Sequence, residues 1–122
     1  MTREEIITWC RTQYGTEPDY PWNDNNAVLR HTKTGKWYGV ILEVRRDRLG
    51  LAGEEMADVL NVKSEPVLIG SLRMRDGFFP AYHMNKENWI SILLDGTAPD
   101  DEIKNLIGLS FQMTMPKNRR KP

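Results

Sequence analysis

The densest chemistry in this sequence lies between Gly77 and Trp89, where aromatic, imidazole, amide and ammonium groups crowd around one turn. His83, Asn85 and Lys86 could project together as donors for an anionic ligand. Arg73 and Arg75 would add two planar guanidinium forks if the segment carrying them folds back. Lys63, shortly before that segment, is a further cation that would complete an open groove if it converged on the same place. A structural reading competes: Trp89 fills the core, Tyr82 and His83 satisfy backbone groups, and Asn85 shapes the turn through its side-chain amide.

Other residue types exclude more than they suggest. No GxGxxG or GKS/GKT pattern appears, so a phosphate cradle is not expected. His31 and His83 are the only imidazoles and have no carboxylate at metal-ligand spacing, so neither a metal nor a cofactor is expected. Cys10 falls on the apolar stripe of a helix and reads as an inert buried thiol. Asp100, Asp101 and Glu102 are explained by the positive end of a helix. No catalytic residue emerges.

The elements that must position these groups follow from periodicity and punctuation. Thr2 and Glu5 fit a capping box, Ile6, Ile7, Cys10 and Tyr14 make one stripe, and Gly15 supplies a stop, predicting a first helix. Residues 16–26 read as a loop tied down by Tyr20 and Trp22. Two β-rich runs, 27–32 and 36–44, flank Lys33, Thr34 and Gly35 and predict a hairpin. An exposed loop over 45–55 leads to a third strand at about 57–63. Pro66 opens a short helix to about Met74, with a partly apolar face of Val67, Leu68, Ser71 and Leu72 and a left-handed cap at Gly77. Residues 78–84 are extended or irregular, and Trp89–Leu94 is a strand apolar on both faces except at Ser91. Pro99 and the acidic triplet start a last helix to about Met115, whose stripe is Ile103, Leu106, Ile107, Ser110 and Phe111.

The order α-βββ-α-ββ-α, with short hairpins and one-striped helices, predicts an α+β two-layer sandwich: a five-stranded antiparallel sheet with all helices on one face. At 122 residues the chain makes one domain, over 1–116, followed by a frayed basic tail at 117–122. Basic and acidic residues number 17 each, and the tail holds four of the basic ones, so the body carries 13 against 17. That is not the footprint of a strong nucleic-acid binder. A single cysteine suits a reducing cytoplasm. The longest apolar run, Trp89 to Leu94, is far below the ~20 residues of a membrane helix, so neither membrane nor secretion is expected.

Tyr82-His83-Met84-Asn85-Lys86, then Trp89, and later Leu94-Asp95-Gly96, resemble the signature of the MmcQ/YjbR family of small bacterial proteins. The resemblance extends to Pro21 and Trp22, Lys36 and Trp37, Lys63 and Pro66, and the apolar stripe of the last helix. It implies a secretion-chaperone-like or CyaY-like two-layer fold. It also implies DNA binding through wing-like hairpins, which would correspond to Lys33-Thr34-Gly35-Lys36 and to the turn at Asn85 and Lys86. Only two lysines stand in the first wing, and Glu87 weakens the second.

Two functions are therefore weighed. DNA binding through Lys33, Lys36, Lys86 and the tail would be weak, non-specific and salt-sensitive. A protein-interaction or chaperone-like module would instead present an exposed aromatic patch of Trp22, Trp37 and Phe79. An enzyme with His83 as general base is not expected, because no partner carboxylate is visible.

Overall fold

Thr2 caps the first helix, α1 (Arg3–Tyr14), as its sequence predicts: Thr2 Oγ1 accepts the Glu5 amide at 3.1 Å and Glu5 Oε1 accepts the Thr2 amide at 2.8 Å. Gly15 ends it at φ 67°, a left-handed conformation that glycine adopts without a Cβ clash. The computed structural model describes residues 1–116, and the basic tail expected at 117–122 lies outside the described residues. The remaining elements are β1 (Ala27–Arg30), β2 (Trp37–Arg45), β3 (Met56–Lys63), α2 (Pro66–Leu72), β4 (Phe78–Pro80), β5 (Trp89–Leu93) and α3 (Asp100–Met113). Among the described residues no helix is long and apolar enough to cross a membrane.

The five strands form one antiparallel sheet in the order β1-β2-β3-β5-β4. Ile6 and Cys10 of α1, Ile69 and Leu72 of α2, and Ile103, Leu106 and Ile107 of α3 join the same buried cluster. All three helices therefore cover one face, as expected of single apolar stripes. Burial pushes the Cys10 thiol up to about 11, so it stays protonated and inert near neutrality.

Three local expectations are corrected. Helix α2 ends at Leu72 with Arg73 as its cap, and Gly77 (φ 90°) belongs to the turn into β4 instead. Leu68 and Leu72 of the expected α2 face pack on the core together with Ile69, while Val67, 87% exposed, and Ser71 turn outward. The loop after β2 contains a single 3-10 turn, Arg46–Leu49, whose Leu49 packs beside Leu51 on the sheet rather than standing in solvent.

Strand β2 carries the irregularity that shapes the core. Leu29 pairs with Gly39 but Arg30 pairs with Trp37, so Tyr38 is an extra residue in a bulge. The bulge turns Tyr38 toward the helices while Trp37 and Val40 belong to the opposite face. Its hydroxyl lies 2.6 Å from Thr16 Oγ1, and its ring meets Tyr14 and Phe111 edge-on at 5.7 and 5.0 Å. Ser110 of α3 then donates to the Tyr38 carbonyl at 2.6 Å and accepts the Lys63 amide at 2.9 Å, pinning the helix to the sheet.

His31 is buried beside this knot, 2.8 Å from Thr114 Oγ1 and with its ring tilted against Phe111 at 4.1 Å. Burial lowers its pKa below the ordinary 6.5, and Lys36 adds to the effect, against a hydrogen bond from the ring to the Phe111 backbone carbonyl. The folded state thus resists the proton more than the unfolded chain does. The stability His31 contributes is complete above 6.5 and is lost as pH falls through that value toward the lower folded one. Melting scans should show a lower midpoint at roughly pH 5.5 than at roughly pH 7.5, and a smaller drop for His31→Gln, which cannot titrate there.

Candidate functional site

The second face of the sheet is apolar without a helix over it. Val28, Val40, Leu42, Val44, Val59 and Leu93 are buried there beneath a partial cover of Leu49, Leu51, Phe79, Tyr82 and Met84. Between the two loops that approach from opposite sides, the cover fails. A hollow of about 480 Å³ opens with Val40 and Leu42 of β2 at its base. Trp22, Asp24, Asn26 and Trp37 border it on one side, His83 and Met84 on the other.

Each wall is held by identifiable chemistry. Trp22 and Trp37 sit perpendicular, 6.0 Å apart, and Trp22 is 48% exposed. The Arg30 guanidinium lies 5.5 Å over Trp37 and is fixed there by Asp19 at 2.8 Å. Asp19 also exchanges two backbone hydrogen bonds with Val28, at 2.9 and 2.7 Å. That bridge, rather than the exposed Tyr20 and Trp22 of the original expectation, ties the 16–26 loop to β1. Asp24 accepts the Asn26 amide at 2.9 Å, and Asn26 Oδ1 accepts the Glu43 amide at 2.9 Å, so this part of the rim is stitched to β2.

The opposite wall hangs on two buried polar residues of central strands. Asn61 and Ser91 are cross-strand partners, both fully buried. Asn61 Nδ2 donates to the Tyr82 carbonyl and Ser91 Oγ accepts the Tyr82 amide, each at 2.9 Å, while Ser91 Oγ donates to Asn61 Oδ1. Tyr82 is thus clamped at both backbone groups, and His83 follows it at φ 61°. Asn23 (φ 58°) is the other non-glycine residue with positive φ among those described. His83 borders this hollow and Asn23 stands between its neighbours Trp22 and Asp24, both in a left-handed conformation that Asn and His adopt more readily than most L residues.

The expected donor cluster is divided by the fold. His83 borders the hollow between the tryptophans and Met84, whereas Lys86 and Arg73 border a separate hollow of about 300 Å³ with Pro66 and Asn88. Asn85 is a turn former, its Oδ1 accepting the Glu87 amide at 2.8 Å and its carbonyl the Trp89 amide at 3.0 Å. Arg75 is bound to Glu102 by both terminal nitrogens, one at 2.7 Å, and this holds the Glu102 carboxyl below its usual range. Lys63 lies half-buried opposite Trp89 in the β3–β5 pairing. Lys33 borders a hollow near Thr16, His31 and Phe111, and Lys36, at the same hairpin, is exposed. His83 and Lys86 thus border different hollows, and neither hollow gathers His83, Asn85, Lys86 and Lys63 into one groove. Of the aromatic patch, Trp22 and Trp37 meet, while Phe79 is half-buried beside Leu51 and Leu93.

Asp24, Asn26, Arg30 and the Asn61–Ser91 pairing escaped the sequence reading, and Met84 entered it only as part of the family signature. Ser91 stood out as the polar interruption of β5, and Asn61 interrupts Val59–Val62 in the same way.

Comparison with known proteins follows this geometry. A family model described as YjbR matches residues 11–113. The sequence is 48% identical over 116 residues to the uncharacterized protein YyaQ of Bacillus subtilis (strain 168), covering 93% of this chain and 98% of that one. It is 27% identical over 126 residues to the uncharacterized protein YjbR of Escherichia coli (strain K12), covering 99% and 96%. A crystal structure of a Pseudomonas syringae protein superposes with a TM-score of 0.91 at 42% identity, over 94% of this chain and all (100%) of that one.

Proposed function

The chain belongs to the YjbR family, and from that premise we propose that it is a binding module without catalytic activity, which takes a side chain of a protein partner into the hollow between Trp22 and Trp37. The observation that carries this reading is the Trp22–Trp37 pair, set at right angles beside the hollow over an apolar strand face, with Trp22 half-exposed. Tryptophan is the residue type most enriched among interface hot spots, because it buries a large area at small entropic cost. A half-exposed indole over Val40 and Leu42 gains that burial only when a partner arrives. The lone inert thiol suits a reducing cytoplasm.

DNA binding through the wing-like hairpins is less well supported. Lys33 and Lys86 border different hollows, Arg75 is engaged by Glu102, and the body bears more acid than base. About three phosphate contacts at roughly 0.9 per phosphate give only weak, salt-sensitive attachment.

Selection from a random peptide library displayed on phage, against the immobilised full chain, tests the reading alongside a duplex DNA titration at low salt. Enriched peptides sharing one anchor residue, with DNA bound more weakly than those peptides, are expected. No enrichment, together with tight DNA binding that weakens as salt rises, would replace this reading with the phosphate-contact one.

A further inference from the structure

We infer that the side chain received is a cation, a lysine or arginine of the protein partner, with its aliphatic stem on Val40, Leu42 and Met84 and its charged head against Trp22, Trp37 and Asp24. This rests on the binding reading above and names its ligand class.

Complementarity at both ends of the hollow decides the class. The Asp24 carboxylate borders the same space as the two indoles, and its hydrogen bonds come from neutral donors, the Asn26 amide at 2.9 Å and Asn26 Nδ2 at 3.3 Å. Among the described residues no ion pair involves Asp24, and the cation nearest the tryptophans, Arg30, is already neutralised by Asp19. An aliphatic ligand would cover that carboxylate without pairing it, and a desolvated unpaired charge is expensive. An anionic ligand would be repelled by it. A lysine or arginine satisfies both regions, because its methylene stem buries against apolar groups while its head keeps polar company. Trp37 already accepts a guanidinium over its ring from Arg30, the attraction of a cation to the negative face of an indole. Trp22 and Trp37 both border the space that such a head would enter.

The test titrates the ¹⁵N-labelled full chain with Nα-acetyl-lysine methylamide and, separately, with Nα-acetyl-norleucine methylamide, which keeps the four-carbon stem and lacks the ammonium. The indole Nε1–H signals of Trp22 and Trp37 are followed, with spectral dispersion reporting the fold. The lysine probe should bind about 3- to 30-fold more tightly than norleucine, the range that cation–π contacts span when converted to affinity. Asp24→Asn should lower that ratio, weakening the lysine probe and, by removing the unpaired carboxylate, tightening norleucine, while the share carried by the indoles remains. Norleucine binding as tightly as lysine, or a lysine affinity indifferent to Asp24→Asn, would overturn the inference and leave the binding reading intact. Indole signals that respond to neither probe would overturn both.

Discussion

Trp22→Ala is expected to weaken the affinity for peptides selected on the wild-type chain by roughly 30-fold or more, the size of a hot-spot truncation. The fold should hardly notice, because Trp22 is 48% exposed and takes no part in either buried cluster. Trp37→Ala should cost comparable affinity and also stability, since Trp37 packs against the second cluster and carries Arg30 on its ring. Lys33→Ala and Lys36→Ala should leave peptide affinity within twofold of wild type, because those side chains lie at the hairpin tip. Calorimetric or fluorescence titration of the four variants measures all of this. A binding loss that followed the lysines and spared the tryptophans would move the site to the hairpin.

Asn61→Ala should cost more stability than a change at any surface site, about 2–4 kcal/mol. It strips the Tyr82 carbonyl of its donor and the Ser91 hydroxyl of its acceptor, and each buried group left unpaired costs roughly 1–3 kcal/mol. Chemical denaturation reads this loss as a lower midpoint at unchanged slope. Ser91→Ala alone orphans the Tyr82 amide in the same way. The double variant should be less destabilised than the two single ones added together, because neither residue can then strand the other. Additive losses would show that the pair does not act as one clamp. The same variants should lose peptide affinity without touching the hollow, since a released Tyr82 no longer holds His83 at φ 61°.

What the sequence revealed divides along a physical line. The Thr2–Glu5 capping box, the hairpin around Gly35 and the α3 stripe through Ile103, Leu106 and Ile107 were legible because each is set by residues a few positions apart. The bulge at Tyr38 was hidden. Val40, Ile41 and Leu42 read as one apolar run, and a strand buried on both faces gives no alternation from which to detect an extra residue. The end of α2 was overestimated because Gly77 made an attractive stop, whereas the chain left the helix once Ile69 and Leu72 had reached the sheet.

At the site, Trp22 and Trp37 were singled out together as an aromatic patch, and His83 apart from them as a donor. Their meeting depends on two loops separated by about sixty residues in sequence, which no local pattern encodes. Asp24 was not singled out within the 16–26 loop, which it shapes through its bond to Asn26. Its second role appears only beside the indoles. Polar residues at 61 and 91 were visible as interruptions, and the register that pairs them across β3 and β5 was not. The cationic cluster failed for the converse reason: spacing in a turn does not fix direction, and Arg75 found Glu102 in α3, 27 residues away.

The helix-free face is best interrogated by a residue-resolved map of partner contact, obtained by titrating the ¹⁵N-labelled full chain with a selected peptide. Shifts should concentrate on the Trp22 and Trp37 indoles and on the amides of Asp24, Val40, Leu42, His83 and Met84. Shifts confined to Lys33–Lys36, to the Arg73–Lys86 hollow or to the outer surfaces of α1 and α3 would contradict it.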